Sequence, residues 1–277
     1  MIEPILTYCS EIWGLYNSDC IHTFHLAFLK SMLCVKRSTP NCFVYGELGI
    51  YPIHIDLKMR VVKFWLKLIR PSTTNENYAR QIYKELLRIK ITHPVQITWV
   101  SKLQDMFNGV GLGHFIVEQQ VNNEKEFLTM FKKRLVDVYL DDWTNLVRQT
   151  SDGRLYKHIK DTFIFEQYLD MPHKTLRIAI TKIRLSSHLF FIERGRWTNL
   201  ERRQRTCDVC NVIEDEYHVF IECPRYSIER KKLLPNILKT RPSMNEFVKY
   251  VRCDSETEFT RVGRLCLSIQ KEHKQYL

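Results

Sequence analysis

The amino-acid sequence predicts a mainly α-helical protein. Apolar residues recur at steps of three and four over long stretches, proline and glycine fall at the ends of those stretches, and alternating strand patterns are nearly absent. The expected architecture is a run of helices, then a small metal-binding segment, then C-terminal helices.

The first clear helix carries Ile21, Phe24, His25, Phe28, Leu29, Met32 and Val35 on one expected apolar face. It should stop near Arg37, because Thr39 and Pro40 restart the chain. Thr39 suits a cap, Pro40 the first helical position, and Gly49 the terminator. Pro52 opens a longer helix through Ile69, and 71–75 reads as a linker after Pro71. Further helices are expected near 76–90, 96–106, 123–149, 153–169 and 173–190. Only 96–100 has any strand character. Gly109, Gly111 and Gly113 mark a loop, without the preceding strand or the Gly-Lys-Ser/Thr tail of a phosphate cradle. The metal segment spans 204–224. A helix over 224–238 follows, with Pro224 in its first turn, and then helices near 243–252 and 256–273. Four segments result: 1–70, 76–190, 191–240 and 241–277.

Lys and Arg number 42 against 31 Asp and Glu, a formal charge of +11. Such a balance permits a polyanionic partner, and a solvated basic surface would give the same count. The most apolar stretch, 61–69, is broken by Lys63 and Lys67, so no membrane span is expected. The N-terminus lacks the basic region and apolar run of a signal peptide. Nine cysteines without such a signal suggest a reducing compartment, hence an intracellular location in the nucleus or cytoplasm. Cys9, Cys20, Cys34, Cys42, Cys253 and Cys266 show no tight pairing and are expected to be buried as small apolar residues. His22 and His25, with Cys34 and Cys42 nearby in sequence, read as core packing rather than as a second metal site.

Cys207, Cys210, His218 and Cys223 are spaced C-x2-C-x7-H-x4-C. Thiolate and imidazole are the ligands Zn²⁺ prefers, and four of them close a tetrahedral structural site with no position left for substrate. Histidine in place of one cysteine favours zinc over an iron–sulfur cluster. Zinc would contribute folding energy directly, because so short a segment is expected to have little core of its own.

The flanks are basic. Arg194, Arg196, Arg202, Arg203 and Arg205 precede Cys207, and Arg225 follows Cys223. Trp197 lies among them and could stack on a base. Arginine with an exposed aromatic suits RNA or DNA, where phosphate contacts supply affinity and stacking tolerates any sequence. In the competing arrangement Trp197 packs inside and the arginines pair with Glu193, Glu201 and Glu229. Glu214, Asp215 and Glu216 run against the nucleic-acid reading locally; under it they would face away from phosphate, or support the metal ligands through hydrogen bonds. His188 is expected to pack against the metal segment or to bond locally.

The stretches RLSSHLFFIERGRW, RTCDVC and IEDEYHVFIECPRY resemble the zinc-binding region at the C-terminal end of non-LTR (LINE-type) retrotransposon reverse transcriptases. EPILTYCSEIWG, followed by HLAFLKSMLCVKRSTPNCFVYGELGIYP, is similar to the helical thumb-like region that follows the polymerase palm in that family. The resemblance touches most of 3–70 and 173–232. It implies a thumb-like region (1–70), a helical connector, the zinc knuckle and C-terminal helices, with RNA-directed DNA polymerase activity belonging to a palm upstream of this chain. It therefore implies no catalytic residue here. Tyr139, Asp141 and Asp142 do spell the Y-x-D-D pattern on which such polymerases bind Mg²⁺. Yet Phe127, Met130, Phe131, Leu135, Val138 and Trp143 around it repeat at helical spacing, so an ordinary helical pair is expected. A zinc-stabilised protein-interaction module is the alternative to nucleic-acid binding.

Overall fold

The structure is a computed structural model that describes residues 3–16, 18–70, 77–150, 155–253 and 255–276. The expected linker at 71–75 lies outside the described residues. The fold is mainly α. Among the described residues there is no β-strand, only an isolated antiparallel bridge between Thr206 and Ile213. No described helix is long and apolar enough to cross a membrane.

The chain divides into two compact units, Met1–His25 with Tyr51–Thr144, and Leu26–Ile50 with Asn145–Leu277. They cut across the four sequential segments expected above, because packing joins stretches remote in sequence.

In the first unit the helix Ile53–Ile69 buries nine residues, with Trp65 at the centre. Phe107 and Phe127 pack on the indole at 5.0 and 5.9 Å between ring centroids. A buried indole needs a partner for its N–H. The Trp65 N–H donates to the Tyr83 hydroxyl at 2.9 Å, which donates to Gln119 Oε1 at 2.7 Å. Tyr83 belongs to the helix Tyr78–Thr92, whose first turn is capped by the Asn77 side chain accepting from the Arg80 N–H. Residues 96–100 are not a strand. Thr98 is extended and caps the helix Trp99–Asn108 reciprocally with Ser101, so the extended character ends there. Asp141 and Asp142 lie exposed on the helix Glu124–Gln149.

The second unit is organised around buried charge. Arg184, on the helix Lys174–Arg184, is fully buried. Its Nε lies 2.6 Å from Glu47 Oε1 and its Nη2 2.7 Å from Glu166 Oε2. The Tyr168 hydroxyl donates to Glu47 Oε1 at 2.7 Å, and Lys160 pairs with Glu166. Burial opposes the charge on Arg184, but Glu47, Tyr168 and Glu166 outweigh it and its pKa rises. Glu47 lies on the helix Asn41–Leu48, which Gly49 ends in the left-handed region at φ 59°. A Cβ on Gly49 would sit 2.4 Å from the Phe165 nitrogen, so glycine is required sterically as well. The helices Lys174–Arg184 and Glu256–Lys274 approach closely at Gly263, where a Cβ would lie 2.8 Å from the Leu176 Cβ.

Several expectations change. The helix expected over 153–169 is replaced, from Tyr156 onward, by a short helix, Tyr156–Ile159, and a 3-10 turn, Gln167–Asp170. Between them the Glu166 N–H bonds to the Glu47 carbonyl, and Glu166 and Lys160 enter the charged network, which outweighs local helicity. The helix expected over 173–190 ends at Arg184, with Ser186 at φ 51° and the Ser187 N–H returning to the Lys182 carbonyl. The helix expected over 224–238 is interrupted at Pro235, leaving Ser227–Leu233 between two 3-10 turns. Pro40 itself is the N-cap, and Thr39 is buried. On the helix Asp19–Met32, Leu26 and Leu29 are buried, whereas Phe24, Phe28 and Met32 are exposed. Both stripes have helical spacing, and spacing alone does not say which one is covered. Cys9 and Cys20 are exposed, whereas Cys253 and Cys266 are buried as expected.

Candidate metal centre

The metal segment follows the helix Phe191–Trp197 and a 3-10 turn, Arg202–Gln204. A tight reversal then places the first two cysteines. The Cys207 N–H donates to the Val212 carbonyl at 2.8 Å and the Asn211 N–H to the Cys207 carbonyl at 2.9 Å. Asn211 takes φ 56°, a conformation asparagine tolerates better than most residues. The second pair comes from a single π turn, His218–Glu222. Asp215 Oδ1 accepts the His218 N–H at 3.0 Å, and the Cys223 N–H returns to the His218 carbonyl at 2.8 Å. This i→i+5 closure brings residue 223 back to residue 218, a pairing that α-helical geometry would give to residue 222.

The four candidate ligand atoms of Cys207, Cys210, His218 and Cys223 lie within 4.8 Å of one another. Cys207 Sγ is 3.8 Å and Cys210 Sγ 3.9 Å from Cys223 Sγ. A tetrahedral ion with metal–sulfur bonds of about 2.3 Å would separate its sulfurs by about 3.8 Å. A disulfide would need about 2.05 Å. His218 is buried, and its Nε2 has no hydrogen-bond partner. Its Nδ1 lies 3.3 Å from Glu222 Oε2, a contact that assigns the proton to Nδ1 and leaves the Nε2 lone pair for a ligand bond. Burial, reinforced by the neighbouring thiols, pushes the Cys223 thiol up to about 12. Three thiolates this close need a cation among them. The cluster can hold a metal ion.

The three acidic residues of the spacer each have an internal task. Glu214 Oε1 accepts the Phe191 N–H at 2.8 Å, at the start of the helix Phe191–Trp197. Asp215 begins the π turn. Glu216 Oε1 lies 3.0 Å from His188 Nε2, and His188 is buried beside Phe190. Nor does the second half of the segment lack a core. Val219, Phe220 and Ile221 are buried, with Phe220 packing on Phe190 and Phe247.

The basic flank separates into two groups. Arg205 donates to the carbonyls of Leu200 and Ile192, and its side chain fills the space beside Gly195. Arg225 forks onto Asp208 at 2.6 and 2.7 Å and lies over the Tyr276 ring. Arg196 is 3.6 Å from Glu193, and Arg194 stacks on Phe191. These four are half-buried. Arg202, Arg203 and Trp197 are exposed, with Arg203 Nε 2.6 Å from Glu201. Lys36 Nζ lies 4.0 Å from the Trp197 ring centroid. Nothing in the local sequence marks Lys36 as a neighbour of this segment. Among the described residues no metal-ligand cluster includes His22 or His25.

His273 adds a pH dependence. Its Nδ1 is 2.7 Å from the Tyr226 hydroxyl and its Nε2 3.2 Å from the Leu189 carbonyl, partners that the neutral ring satisfies. Burial lowers its pKa to about 4. The unfolded chain therefore binds this proton first, and the stability His273 contributes above about pH 6.5 is lost as pH falls toward 4. Urea titrations of wild type and His273→Gln, both zinc-saturated, should differ in pH slope by up to about one proton across that window. Equal slopes would remove this role.

Compared with protein-family models, with curated proteins and with solved structures, the chain matches none.

Proposed function

We propose that the segment around Cys207, Cys210, His218 and Cys223 is a structural zinc site within a nucleic-acid-binding surface. The chain is, in this reading, the C-terminal part of a non-LTR retrotransposon reverse transcriptase, lacking the catalytic palm. The convergence of three thiols and an orphaned, buried imidazole nitrogen at tetrahedral spacing carries the zinc assignment. Zinc supplies the charge that lets the thiols ionise, while Glu222 orients the imidazole and Asp215 holds the turn. The family assignment rests on the sequence motifs alone.

The nucleic-acid role is supported by an exposed indole next to two exposed arginines, on a chain of net charge +11. Wild-type protein is expected to hold one zinc per chain and to bind a single-stranded oligonucleotide with an affinity that falls steeply with salt. Arg202→Ala/Arg203→Ala should reduce that log–log slope by roughly 1.4, at about 0.7 per phosphate contact. Arg205 is left intact because it braces the backbone. A salt-independent affinity in the wild type would sink the nucleic-acid role. Retention of a protein partner in the presence of excess RNA would favour the interaction-module alternative.

A further inference from the structure

We propose that a basic cavity of about 240 Å³, lined by Lys36, Lys182 and Lys274 beside residues 187–190, holds a phosphate group of the bound single strand, with an adjacent base against Trp197. The inference rests on the nucleic-acid role proposed above and adds its location.

The three lysines come from stretches far apart in sequence, and the Ser187 hydroxyl and the His188 carbonyl draw one of them in. The Lys36 N–H donates to Ser187 Oγ at 2.8 Å, and Lys36 Nζ donates to the His188 carbonyl at 2.5 Å. The same ammonium lies over the Trp197 ring. Lys36 therefore joins the cavity to the exposed indole. That adjacency suits a nucleotide with its phosphate in the cavity and its base on the aromatic face. A base is free to reach such a face only in an unpaired strand.

The local charge balance favours an anion. Among the described residues no carboxylate pairs with Lys182 or Lys274. Glu193, Glu214 and Glu216 are nearby but do not line the cavity. Glu214 and Glu216 instead contact the imidazoles of His273 and His188, at 3.6 and 3.0 Å. Burial holds the Lys36 ammonium at a pKa of about 8, Glu193 partly restores it, and Lys182 depresses it further. A phosphate in the cavity would offset the repulsion between Lys36 and Lys182.

The test uses the zinc-loaded full chain and a short fluorescein-labelled oligouridylate, read by anisotropy over a range of salt. Lys182→Gln/Lys274→Gln is the informative variant, because neither side chain is fully buried. Unchanged zinc content and helicity would certify its fold. Its salt slope should fall by roughly 0.7, the share of the one phosphate held in the cavity. Trp197→Leu should weaken binding severalfold while leaving the slope unchanged, since stacking carries no net charge. Inorganic phosphate, at ionic strength matched with chloride, should compete with the strand in wild type and less in the lysine variant. An unchanged slope in the lysine variant, with Arg202→Ala/Arg203→Ala still lowering it, would overturn the cavity assignment and leave the proposed function standing. Loss of phosphate competition with no change in strand slope would assign the cavity to free phosphate and overturn the strand. If neither set of variants lowered the slope, both inferences would fall together.

Discussion

Replacing Cys210 by serine is expected to abolish metal retention and to unfold the first half of the metal segment while leaving the second half in place. Cys210 is half-buried, so the substitution opens no core cavity, and any large effect passes through the metal. Structural zinc contributes on the order of 10–16 kcal/mol in small zinc-binding peptides, and a site with one ligand lost forfeits much of that. The reversal between Cys207 and Ile213 has little else to hold it: backbone hydrogen bonds, the single bridge and the exposed Asp208–Arg225 pair. By contrast the π turn buries Val219, Phe220 and Ile221 against Phe190 and Phe247. Amide hydrogen exchange should therefore accelerate at Cys207, Asn211 and Glu214 and stay slow at Val219 and Cys223. Mass spectrometry under native conditions should show the loss of one zinc relative to wild type. Cys20→Ser, at an exposed cysteine outside the cluster, is the control and should keep its metal. A Cys210→Ser protein with full zinc content would refute the site.

The second large effect is expected at Arg184. Replacing it by methionine leaves Glu47, itself fully buried, and Glu166 without their common cation. Removing one partner of a buried pair costs roughly 3–5 kcal/mol, because the remaining charge is uncompensated. The loss should appear in urea unfolding monitored on the second unit. A double variant, Arg184→Met/Glu47→Leu, removes the stranded carboxylate and should recover part of the loss, since a buried pair replaced by apolar groups is often near neutral. Recovery will be incomplete, because Glu166 is left with Lys160 and the Tyr168 hydroxyl with Thr181, each having lost one partner. A cost below about 1 kcal/mol for the single variant would mean that water reaches this network.

Helix identity was largely legible, and most ends were marked by residues with a physical reason to stop a helix. Gly49 ends one in the left-handed region, and Ser243 and Ser255 cap the two C-terminal helices that the sequence places near 243–252 and 256–273. The failures share a cause. Residues 153–169 have helical periodicity, but the pull of Glu47 and Arg184 on the chain between Lys160 and Glu166 is a contact with remote residues, invisible to a local window. The choice between two apolar stripes on the helix Asp19–Met32 is likewise made by what packs on it.

At the candidate metal centre the sequence singled out the four residues that the structure brings together, because Cys, Cys, His and Cys must lie close along the chain if one short segment is to wrap an ion. Only the tertiary structure decided which basic residues remain exposed beside it. Arg205 and Arg225 are indistinguishable by sequence from Arg202 and Arg203, yet their guanidinium groups brace the backbone and hold Asp208. Lys36, far away in the chain, stands instead beside Trp197. Ligand spacing is a local property of the chain, whereas exposure and charge compensation belong to surfaces assembled from distant segments. That is why the four candidate ligands could be named from sequence and the lysine cavity could not.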